Sequence, residues 1–205
     1  MTATPGPQRP IRPAPIPWWA AEPRRFERDQ HEIPAAFPDL AYDAEGGGSW
    51  QGTLPLWPFD RPQPAHLTNW TGDTGLRFLM AYRHSYPMVP PHILPLDPLP
   101  ELAEWTQSRW HVNGDGTLCL LRSDDLWTGR ASVVDLLIKA AAWRVEHALM
   151  KHGVIPQMSE CGIAEDDRFD HFLTNPPPAG ASHDSQTAPP GTTPDDQDAL
   201  SEPSC

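Results

Sequence analysis

Three cysteines stand in this 205-residue chain: Cys119, Cys161 and Cys205. A thiolate is both a nucleophile and a soft metal ligand. The three are far apart, odd in number and free of any Cys-x-x-Cys pair, so their spacing predicts neither a disulfide framework nor a structural zinc site. Cys161 and Cys205 lack any such surrounding pattern and read as surface or tail thiols. Cys119 is different. It lies in the apolar run 118–121, just after the tight-turn pairs Asn113-Gly114 and Asp115-Gly116, with His111 upstream. Two readings of each residue stand side by side. Cys119 is a reachable nucleophile, or a small buried hydrophobe of the kind free cysteine often becomes among leucines. His111 is an acid/base group, or a ring that holds its loop by hydrogen bonds. Asn113 serves the thiol, or only starts an Asn-Gly turn. A cysteine hydrolase would pair Cys119 with His111 or His147, but nothing else points to a peptidase fold. His147 and His152 are five apart, hence on different helix faces, and no His-Glu-x-x-His is present. The glycines 46–48 lack the Lys-Ser/Thr of a phosphate loop. The sequence predicts no cofactor and no metal site.

The elements that must position these groups follow from pattern. Residues 1–17 carry six prolines and two arginines and read as a disordered leader. A short helix is expected over 23–33, ended by Pro34 and Pro38. Strand signals follow at 40–43, 49–56, 76–84 and 92–97, with a glycine turn at 46–48 and an irregular stretch at 61–73. Joined by turns, they predict an antiparallel meander. Tyr86-Pro87-Met88-Val89-Pro90-Pro91 cannot be a helix or an internal strand, because three of its residues lack an amide proton. Residues 98–110 read as a loop with one helical turn. The strongest pattern is a helix over 133–152. Ser132 is a good N-cap, and Asp135 can close a capping box or complement the dipole. Val133, Leu136, Leu137, Ala140, Ala141, Ala148 and Leu149 make its apolar stripe, and Gly153 follows as a natural stop. A last short helix is expected at 166–173. Beyond it, 174–205 is rich in Pro, Ser, Thr, Gly and Asp and reads as a disordered tail. The sequence therefore predicts one α+β domain over 18–173.

Charge narrows the partners. The formal net charge is −12 and no Lys/Arg run appears, which argues against nucleic acid and against an anionic lipid surface. The opening MTATPGPQRPIRP has no apolar run, so no signal peptide is expected, and no stretch approaches a membrane span. A reducing cytoplasm is the expected setting, where a free thiol persists.

Taken in order, these motifs resemble the ubiquitin-conjugating enzymes. The resemblance is carried by a strand, then Tyr86, Pro87, Pro90 and Pro91, then His111 and Asn113, then Gly116, Leu118, Cys119 and Leu120. Trp127 falls eight residues after the cysteine, and the helix from Val133 comes next. It covers roughly 26–153. His-Val-Asn stands where the family has His-Pro-Asn, and the gap from Asn113 to Cys119 is shorter. Both features, and the lack of two further C-terminal helices, place the likeness nearer the prokaryotic branch. Its members occur in bacterial operons for ubiquitin-like conjugation and for anti-phage defence (CBASS).

What the resemblance implies is specific. The fold is expected to be UBC-like: an N-terminal helix, a four-stranded antiparallel meander, an active-site loop and a long C-terminal helix. The activity is that of a transferase. Cys119 would carry a ubiquitin-like protein, or another protein C-terminus, as a thioester and pass it to an amine. Asn113 would support the oxyanion or the active-site loop, and His111 would hold that loop or move a proton. Asp124 and Asp125 are the nearest acids to orient the amine. The chain has no nucleotide-binding motif, so an adenylating activating enzyme, the modifier and a target protein are the expected partners. The alternative is a catalytically inactive binding or scaffold protein of the same fold.

Overall fold

Successive side chains of a strand point to opposite faces, so the apolar residues of the predicted strands leave one face of the sheet in need of a cover. The computed structural model describes residues 16–121, 127–160, 162–165 and 167–178. It has helix α1 at Trp18–Ala21 and α2 at Pro23–Ala36, then strands β1 at Ala41–Asp43 and β2 at Ser49–Thr53. Helix α3 spans Leu67–Thr71, and strands β3 and β4 span Arg77–Ala81 and His92–Asp97. Helix α4 is Gln107–Trp110 and α5 is Val133–Lys151, with 3₁₀ turns at Leu102–Glu104 and Asp170–Thr174. The architecture is α+β, and the strands form one antiparallel sheet in the order β1-β2-β3-β4. No described helix is long and apolar enough to cross a membrane.

The sheet buries Trp50, Phe78, Met80 and Ile93 in one core with Leu137, Ala140, Ala141 and Leu149 of α5. Pro95 sits inside β4 and cannot donate to a ladder. It is tolerated because β4 is an edge strand, and the register shifts beside it between Arg77 and Phe78. Helix α5 starts as expected on Ser132, whose Oγ accepts the Val134 amide at 3.1 Å. The capping bond is thus to Val134, and Asp135 acts as a first-turn acid toward the helix dipole.

Three expectations about elements are corrected. Pro34 does not end the N-terminal helix, which runs to Ala36. It lies in the last turn, where only one intrahelical bond is forfeited, and the Phe37 amide still closes onto Ile33 O at 2.8 Å. The stretch 61–73 is not wholly irregular but contains α3. The expected helix at 166–173 is a 3₁₀ turn at Asp170–Thr174, and Asp166 lies outside the described residues.

A buried polar cluster joins the front half of the chain to the segment that follows the cysteine. Asp29 is almost fully buried. Its Oδ2 accepts the hydroxyls of Tyr86 at 2.5 Å and Tyr82 at 3.1 Å, and Arg25 Nε lies 3.0 Å from its Oδ1. Burial pushes the Asp29 carboxyl up, against the pull of Tyr86, Arg25 and Tyr82. Arg25 also donates to Gly129 O at 3.1 Å and lies over the rings of Tyr86 and Trp127. Trp127 in turn donates to Pro87 O at 2.8 Å. Further along α2, Arg28 donates to Arg130 O, and Glu32 accepts Ser132 Oγ.

Helix α5 is buried well beyond its predicted stripe, through Ala142, Trp143, Val145, Glu146, His147 and Met150. Two flanking segments cover it. From one side Glu104 meets His147 Nε2 at 3.1 Å and Lys151 Nζ at 2.8 Å. From the other, Glu146 accepts the amides of Ser159 and Ile163 and the Ser159 hydroxyl, at 2.7–2.8 Å. Burial alone would raise the Glu104 carboxyl, but the bonds from His147, Lys151 and the Glu101 amide outweigh it and hold it at about 2. A carboxylate depressed from 4.5 lends stability that is complete above that value and is lost as pH falls toward 2. Urea unfolding should therefore show a falling midpoint from pH 5 to pH 3. Glu104→Gln should cost about 2 kcal/mol at pH 7 and flatten that slope.

Candidate active site

The segment after α4 must reverse twice within a few residues. His111 makes the first reversal with a left-handed backbone (φ 50°) at the end of α4. The second is a hairpin tip. Asn113 N–H donates to Thr117 O at 2.7 Å, and Gly116 N–H to Asn113 O at 2.9 Å. Gly116 has φ 82°, and a Cβ there would come within 3.2 Å of the Trp105 ring, so only glycine suits both demands. Asp115 Oδ1 accepts the Thr117 hydroxyl at 2.6 Å and its amide at 3.0 Å, which holds the Asp115 carboxyl low.

The two arms pair through Val112 and Leu118, and Cys119 N–H donates to His111 O at 2.8 Å. Leu118 N–H donates to Ile93 O at 2.8 Å, which fastens the hairpin to the outer edge of β4. Val112 and Leu118 are buried in the core. By strand alternation His111, Asn113, Thr117 and Cys119 fall on the opposite side. The structure thus brings all three predicted site residues onto one short hairpin.

Cys119 is a half-buried thiol, with Sγ 3.8 Å from Leu121 O. It borders two grooves. One, of about 280 Å³, is lined by Arg83, Pro90, Pro91, His92 and Asn113. The other, of about 440 Å³, is lined by His111, Ser108, Gln157, Met158 and Glu160. Gln107, Leu120 and Leu121 border both. A thiol so placed is held by backbone bonds yet open to a partner from two sides.

Asn113 is occupied. Its amide nitrogen donates to Thr117 Oγ1 at 3.0 Å and to Leu118 O at 3.3 Å, and its Oδ1 accepts Gln107 Nε2 at 2.7 Å. In this conformation its side chain holds the hairpin. His111 is half-buried, and burial lowers its pKa although the Cys119 backbone and the Glu160 carboxylate act to raise it. A neutral imidazole keeps one nitrogen as an acceptor.

Asp124, Asp125, Cys161 and Cys205 lie outside the described residues. Glu160 had no signal in the sequence. It arrives because the segment after α5 folds back: Met158 N–H donates to Arg109 O at 3.0 Å, and Arg109 Nε donates to Pro156 O at 3.1 Å. The adjoining Ser159 is anchored on Glu146. Compared with known proteins, the chain matches no family model, no curated sequence and no solved structure.

The hairpin tip yields a paired test. Gly116→Ala should cost about 2 kcal/mol, from the left-handed backbone and the Trp105 contact. Gly114→Ala, where a Cβ meets nothing within 4 Å, should change stability by no more than about 0.5 kcal/mol. Urea unfolding followed by tryptophan fluorescence distinguishes the two.

Proposed function

We propose that the chain is a ubiquitin-conjugating-like transferase. Cys119 accepts a ubiquitin-like protein, or another protein C-terminus, as a thioester from an adenylating activating enzyme and passes it to an amine. The observation that carries this reading is the placement of Cys119. It sits half-buried on a rigid hairpin at the sheet edge, between two grooves, with a four-stranded meander before it and a long capped helix after it. Thioester exchange needs room for an acyl group on one side of sulfur and an attacking group on the other. The Tyr86–Pro91 turn and Trp127, which carried the family resemblance, meet through the Trp127–Pro87 bond and support the same reading.

One observation favours the alternative of an inactive binding protein of the same fold. The Asn113 amide is committed to Thr117 and Leu118 rather than turned toward the thiol. An active enzyme would then stabilise its oxyanion with another donor, or release this amide when a partner docks.

The test is charging. Wild-type protein with ATP, an adenylating activating enzyme and its ubiquitin-like modifier should give an adduct on a non-reducing gel that thiols discharge. Cys119→Ala should give none, and Cys119→Ser a thiol-resistant ester or nothing. A biological readout that survives Cys119→Ala intact would decide for the scaffold.

A further inference from the structure

The two grooves at Cys119 differ in chemistry. The 280 Å³ groove offers the cationic Arg83, the imidazole of His92 and the proline rings of Pro90 and Pro91. The 440 Å³ groove contains an acid, Glu160, and an imidazole, His111, with the thiol between walls supplied by Ser108, Gln157 and Met158. Glu160 and His111 also both line a second, small cleft, together with Lys139, Trp143 and Met158. We propose that the acceptor is a cationic primary amine that enters through this second groove, with Glu160 binding its ammonium group and His111 receiving its proton. This rests on the thioester reading of Cys119.

The geometry supports each part. Glu160 is exposed at the groove while its neighbour Ser159 is pinned to buried Glu146, so the carboxylate stands on an anchored segment. The His111 ring is held against the backbone of Cys119 and feels the charge of Glu160. Its depressed pKa keeps it neutral near pH 7, as a proton acceptor must be. An ammonium group beside Glu160 must lose one proton to solvent before it attacks. The free amine then adds to the thioester carbon and a C–N bond forms. His111 takes the second proton, the C–S bond breaks, and the electron pair returns to sulfur. The imidazolium proton passes to the Cys119 thiolate or to water. The products are an amide and the free enzyme thiol.

The experiment uses the full chain, acylated on Cys119 by exchange with a small glycyl thioester, and follows loss of the acyl group by mass spectrometry. Free lysine is one acceptor and hydroxylamine, uncharged at neutral pH, the other. Wild type should transfer to lysine faster than the same thioester of N-acetylcysteine does. Glu160→Gln should slow the lysine reaction about tenfold, through a higher half-saturating lysine concentration, and leave hydroxylamine unchanged. Glu160→Lys should slow lysine further. His111→Gln should slow both acceptors about a hundredfold at saturation, with charging intact. Equal lysine rates in wild type and both Glu160 variants overturn the proposal while the transferase reading stands. A wild-type rate no faster than N-acetylcysteine's overturns both.

Discussion

The Asp29 carboxylate, buried and shared by two tyrosines and an arginine, is the constraint on which the arrangement of the site depends. Its partners come from α2, from the end of β3 and from the Tyr86–Pro91 turn. Through Arg25 it reaches Gly129 and Trp127, which lie beyond the cysteine. A buried charge is costly unless its lone pairs are filled, so these segments cannot drift apart separately. The cluster fixes where the chain leaves the sheet and where it returns to begin α5. The Cys119 hairpin is strung between those two points.

The hairpin itself is held from three directions. Ile93 O binds it to the sheet, the Trp105 ring closes over its tip at Gly116, and Arg109 links the preceding turn to the returning 156–158 segment. The two grooves open beside Cys119, with Asn113 on one and His111 on the other. Rigid backbone under a reachable side chain suits a group that must meet large partners repeatedly without losing its aim.

Much of the framework was legible because it rests on local chemistry. Ser132 before an apolar 3.6-residue period marks α5, and apolar and aromatic runs separated by turns mark the meander. The Asn-Gly and Asp-Gly pairs mark the hairpin tip. What was not legible depends on distant parts of the chain. Pro34 looks like a stop, yet its place in the last turn depends on Phe37 closing onto Ile33. Glu146 and His147 stand outside the apolar stripe read for α5. They are buried because Ser159 and Ile163 on one side and Glu104 on the other bring the missing partners. Asn113 could be placed in a turn from its sequence, but not its bonds to Gln107 and Thr117. Glu160 lies more than forty residues from the thiol, in a stretch without periodicity, and no spacing rule connects the two.

The bond from Leu118 to Ile93 has a second consequence. β4 is an open rim of the sheet, and open rims invite strands from other molecules. Here Pro95 removes one donor from that rim, and the hairpin occupies the Ile93 carbonyl. The segment that bears the thiol is therefore also the guard against edge-to-edge association. A substitution that loosened the hairpin would expose a template for aggregation at the same time as it misplaced the Cys119 thiol, so the placement of that thiol and the solubility of the chain should fail together at these positions.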